Sequence, residues 1–126
     1  MAKTALDLTP EELSSYRPGR MSRESDVMEI GKRWDQGWDV ARKTAHLLRE
    51  RFGANRIVAF GSLVHRDWFN PRSDIDLVAW GIPADQFYRA VAAVTGISPD
   101  FEVNLADPDD CGLLVRKAIE REGIDL

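Results

Sequence analysis

The segment Asp74-Ile75-Asp76-Leu77-Val78-Ala79-Trp80 constrains the fold more than any other stretch of the chain. Its apolar residues fall on both parities. As a strand it is therefore covered on both faces and belongs near the centre of a sheet. Yet it begins with two aspartates, and aspartate is a poor strand former. Residues i and i+2 of a strand point to one face, so these two side chains start ~7 Å apart. Two carboxylates at that separation repel by roughly 2 kcal/mol at an effective dielectric of about 20. On an open edge they would be two ordinary solvated charges. In a central strand the repulsion calls for compensation, and a divalent cation is the usual one. Magnesium suits such a pair, because it takes carboxylate oxygens together with waters and substrate phosphates.

The elements around this strand follow from the apolar period. From about Arg23 to Phe52, apolar residues recur every three or four positions, at Val27, Ile30, Trp34, Trp38, Ala41, Ala45, Leu48 and Phe52. That is one helical stripe. It serves core packing and leaves room for contact with a partner or a second copy. Gly31 and Gly37 weaken the interior of this helix by about 1 kcal/mol each relative to alanine. The period then changes at Arg56-Ile57-Val58-Ala59-Phe60, a compact β-branched run that reads as a buried strand. A helix is expected over 84–95 and a third strand over Phe101-Glu102-Val103-Asn104-Leu105. Asp107-Pro108 is expected to open a last helix, closed by Gly123. This order of helices and strands gives an α/β or α+β fold around a small sheet.

Two further features bear on chemistry. Gly61-Ser62 follows the first buried strand, where glycine lets backbone approach a ligand closely. A helix start beyond it would offer amides to a phosphate. A Gly-Ser pair after a strand is also a common plain turn. Glu102 lies on the polar side of the third strand, opposite Phe101, Val103 and Leu105. If that strand adjoins the Asp74–Asp76 strand, its carboxylate joins theirs; otherwise it is simply exposed. Arg66 and Arg72 stand between the two motif halves, each able to contact a triphosphate or pair with an aspartate. His65 reads as a packing residue.

Composition narrows the setting. With 17 basic against 21 acidic residues and a net charge of −4, the chain is not expected to coat nucleic acid generally. The single cysteine, Cys111, excludes an internal disulfide and a multi-thiolate zinc site. No apolar run reaches the ~20 residues of a membrane span. The first residues lack the apolar core of a signal peptide. A cytoplasmic protein is the expectation. Residues 1–25 read as an N-terminal arm, with Thr9-Pro10-Glu11-Glu12 starting a short helix, and residues 26–126 read as one domain.

The stretch FGSLVHRDWFNPRSDIDLVAW resembles the signature of the minimal nucleotidyltransferases, small relatives of DNA polymerase β and kanamycin nucleotidyltransferase. The resemblance runs from about Arg56 to the C-terminus. It implies a polymerase β-like core, a small mixed β-sheet flanked by helices. It also implies that Gly61 and Ser62 contact nucleotide phosphates, that Asp74 and Asp76 bind Mg2+, and that Glu102 completes the metal site and serves as base. Ser73 and Arg66 fall with the nucleotide-binding residues. Three departures are visible: an 11-residue spacer at 63–73, His65-Arg66 where the family often has Arg-Gly, and glutamate where the family usually has its third aspartate. The implied activity is AMP transfer from ATP to a protein acceptor. The implied partner is a HEPN-type RNase toxin, with this chain as the antitoxin. The departures keep a second possibility in view, a nucleotide-binding protein that neutralises its partner by complex formation alone.

Overall fold

The computed structural model describes residues 23–126, and side chains from Met28 onward. The expected N-terminal arm therefore lies outside the described residues up to position 22. A long helix, α1 (Arg23–Phe52), leads into strand β1 (Arg56–Phe60) and, after a loop, strand β2 (Ile75–Trp80). Helix α2 (Phe87–Thr95) connects to β3 (Val103–Ala106). Helix α3 (Leu113–Glu122) and a two-residue strand, β4 (Ile124–Asp125), follow. Residues Arg33–Leu126 form one compact unit. Among the described residues no helix is long and apolar enough to cross a membrane.

The sheet is mixed, with strand order β3-β2-β1-β4. β1 runs antiparallel to β2 and to β4, while β2 and β3 are parallel. β2 is thus interior, as its apolar residues on both parities require. Ile75, Leu77 and Ala79 face one side, where they pack with Ile57 and Ala59 of β1. Ala41, Ala45 and Leu48 of α1, and Ala90 and Val94 of α2, cover that side. Val78 faces the other side with Val58, beneath Ile119 of α3. Gly37 proves to be more than a weak point in α1. A Cβ there would stand 3.1 Å from Leu63 and 3.4 Å from Phe69, so its absence lets the helix settle close onto the core.

The third strand, the last helix and β4 differ from the sequence expectation, each for a local reason. The third strand begins at Val103 rather than Phe101, because Glu102 enters the ladder only through its carbonyl, which accepts from the Ile75 amide at 2.9 Å. Asp107-Pro108 does not open the last helix. The Asp107 carboxylate accepts from the Asp109 amide at 2.9 Å and its carbonyl accepts from Asp110 at 3.0 Å. The residue closes its own turn instead of capping a helix, the competition that aspartate commonly presents. Gly112, at φ 84°, then delays the helix to Leu113. β4 has no signal in the sequence, since two residues carry no period. It is anchored where the Leu126 amide donates to the Ile57 carbonyl at 2.9 Å.

Candidate active site

The candidate site lies on the α3 side of the sheet, at the end that α3 leaves open. Strand register arranges that face in rows. Val58, Val78 and Ala106 form an apolar row across β1, β2 and β3, packed with Ile119. One step along, the row is Phe60, Asp76 and Asn104. Asp74 lies two residues before Asp76, at the entry to β2. The two aspartates are half-buried and Asn104 is exposed.

Asn104 joins the aspartates. Its Nδ2 donates to Asp76 Oδ1 at 3.1 Å and to Asp74 Oδ2 at 3.3 Å. Burial pushes the Asp76 carboxyl above the ordinary carboxylate range. The Asn104 hydrogen bond pulls it back, and the Asp74 charge pushes it up further. Among the described residues, no lysine or arginine forms an ion pair with either aspartate. Two half-buried carboxylates without a cationic side chain suit a hard divalent cation.

Gly61 completes the arrangement. It follows Phe60 directly and takes φ 76°, in the left-handed region. A Cβ on it would stand 2.6 Å from Asp76 Oδ2. Both the backbone conformation and the close approach of a carboxylate therefore demand glycine here. Gly61 and Ser62 begin a 3₁₀ turn over Gly61–Val64. Leu63 of that turn is fully buried, and its carbonyl accepts from the Trp34 indole at 2.9 Å. Just beyond the turn, His65 stacks on Trp68 with ring centroids 3.7 Å apart, and its Nε2 meets Glu122 Oε1 at 2.6 Å. That hydrogen bond holds the Glu122 carboxyl below its ordinary range. α1 and α3 thus both grip the segment that presents Gly61 and Ser62.

The remaining sequence candidates sit as follows. Ser73 is buried, its hydroxyl accepting from the Asn70 amide at 2.9 Å while its own amide donates to the Asn70 carbonyl at 2.9 Å. It closes the turn that delivers Asp74. Arg66 is exposed, with its guanidinium 5.0 Å above the Trp34 ring. Glu102 is exposed beside the start of β3, and no group of three His, Cys, Asp or Glu side chains fit to hold a metal occurs among the described residues. The structure therefore brings Gly61, Asp74 and Asp76 together, with Asn104 as the third side chain.

Sequence reasoning missed Asn104 and Trp34 as site-shaping residues. Asn104 stands two residues from Glu102 on the same polar parity, which was the available signal. A tryptophan on a buried stripe must place its indole N–H on some acceptor; only the fold shows that the acceptor is Leu63.

No family model matches the sequence, and no curated protein matches it. Solved structures do. A mutant form of the toxin–antitoxin MntA–HpeT matches with a TM-score of 0.54 at 20% identity, over 68% of this chain and 70% of that chain. The chain shares the fold of a chain in that structure. A toxin–antitoxin structure with AMP-PNP matches with a TM-score of 0.55 at 19% identity, over 67% of this chain and 69% of that one. A second MntA–HpeT mutant matches with a TM-score of 0.52 at 19% identity.

Proposed function

We propose that this chain is a magnesium-dependent nucleotidyltransferase that moves AMP from ATP to a protein acceptor, as the antitoxin of a HEPN-type RNase toxin. One observation carries the chemical half: the Asp76 carboxylate lies against the Gly61 turn with Asp74 alongside. The fold of toxin–antitoxin chains, one of them with AMP-PNP, supports the biological half.

Asp74 and Asp76 would hold Mg2+, their paired charge and partial burial matching it. The ion, when bound, neutralises charge on the triphosphate and on the departing pyrophosphate. Gly61 and Ser62 orient the β- and γ-phosphates at the start of their turn, and Arg66 adds positive charge at its far end. The acceptor hydroxyl oxygen attacks the α-phosphorus, and the bond to the β-phosphate oxygen breaks. Glu102, exposed where β3 begins, takes the hydroxyl proton. Ser73 acts earlier in the chain of causes, by fixing the turn before Asp74.

A second reading, neutralisation by binding without transfer, is favoured by Asn104, which puts an amide where a third carboxylate would strengthen the metal site. Incubation with ATP, Mg2+ and the co-purifying partner separates the two. Transfer adds the mass of one AMP to the partner, and Asp74→Asn loses at least 100-fold of that rate. Undiminished transfer by Asp74→Asn would overturn the assigned site. A tight complex with no mass gain would favour binding alone.

A further inference from the structure

We infer that Asn104 adapts the Asp74–Asp76 pair to take its divalent cation together with a nucleoside triphosphate, rather than to keep a resident ion. The inference deepens the proposed metal–nucleotide reading and rests on it. Carboxylates only accept hydrogen bonds, so the Asn104 amide must present its nitrogen to them. That one nitrogen donates to both Asp76 Oδ1 and Asp74 Oδ2. One oxygen of each carboxylate is thereby fixed, and the repulsion between the aspartates is eased without any cation.

The amide does this while adding no charge. Two carboxylates make only a two-ligand site, and no third acid joins them among the described residues. Such a site leaves most of the coordination shell of a hard cation to water, and a triphosphate replaces those waters with charged oxygens. The preferred ligand is therefore the cation–triphosphate chelate. Asn104 shares the row of Asp76 on the open face, so an aspartate at the same position would aim a third carboxylate at the same point. It would turn the pair into a site that retains the ion alone. Asn104 is a positioning residue here, acting through the two aspartates.

The probes are free Mn2+, followed by its electron paramagnetic resonance signal, and Mn2+ with AMP-PNP, followed by calorimetry. The Asp74→Asn/Asp76→Asn double variant supplies the background for adventitious surface binding. The wild type is expected to bind the Mn2+–AMP-PNP chelate at least 10-fold more tightly than Mn2+ alone. Asn104→Asp is expected to tighten free Mn2+ binding at least 10-fold. Asn104→Ala, which removes the bridge and adds no charge, is expected to weaken chelate binding about 10-fold, the scale of residues that orient metal ligands. Free Mn2+ bound by the wild type as tightly as by Asn104→Asp, or chelate binding unchanged in Asn104→Ala, would overturn the inference while leaving the metal site standing. No chelate binding above background in the wild type would overturn the metal–nucleotide reading itself, and this inference with it.

Discussion

Asp76→Asn is expected to make the protein more stable at neutral pH while abolishing the proposed magnesium-dependent transfer. The substitution keeps an acceptor oxygen for Asn104 and deletes a charge that is partly desolvated and faces Asp74. The pH dependence has a definite sign. The folded-state pKa of Asp76 is raised, first by burial and then by the Asp74 charge, against the Asn104 hydrogen bond. Below the ordinary carboxylate pKa both folded and unfolded chains are protonated there, and the charge costs nothing. As pH rises through the ordinary value toward the raised one, the unfolded chain ionises first and the wild type loses stability. Above the raised value the whole penalty is present. The melting temperature of Asp76→Asn should therefore pull ahead of the wild type as pH rises through the carboxylate range. The gain should read as a rise of a few degrees at most in melting temperature, since solvent screens the half-buried group. Mg2+ with ATP should reverse the order. A ligand at 100 times its Kd stabilises by about 2.7 kcal/mol, and only the wild type should respond. AMP transfer by the variant should fall at least 100-fold.

Gly61→Ala should damage the site through geometry rather than charge. The alanine must hold φ near 76°, which costs about 1–2 kcal/mol for an L-residue. Its Cβ would also stand 2.6 Å from Asp76 Oδ2, so the carboxylate must rotate away and leave Asn104. A displacement of about 1 Å at a reacting centre costs on the order of 100-fold in rate. Gly53→Ala is the matched control, because Gly53 also has φ 76° but has open space where its Cβ would stand. Both variants should lose several degrees in melting temperature, and only Gly61→Ala should lose transfer and chelate binding. Equal activity in the two would mean that the approach of Asp76 to Gly61 has no functional weight.

Much of this arrangement is legible in the sequence because it violates local preference. Aspartates at the head of an apolar strand stand out, and the pattern of Ile75, Leu77, Val78 and Ala79 is enough to place that strand inside the sheet. The helical stripe from Trp34 to Phe52 is equally plain, since its steps never leave three or four. Asn104 is hidden for the opposite reason. A polar residue on the outer parity of a half-covered strand is ordinary, and only the parallel register with β2 puts it beside Asp76. Glu102, two residues earlier on the same parity, carries the expected charge but meets β2 through its backbone. Asp107 misleads because the features that let aspartate cap a helix also let it close a turn. The tie from Trp34 to Leu63 spans 29 residues, and no local pattern encodes a contact of that range.

Calorimetric titration with ATP, with Mg2+ and then with the metal chelated away, reads the Asp74–Asp76 site itself. One nucleotide is expected to bind per chain with Mg2+, with at least a 100-fold loss of affinity when the metal is removed or when Asp74→Asn replaces the wild type. ATP binding of equal strength with and without the metal, and in Asp74→Asn, would contradict the proposed metal site.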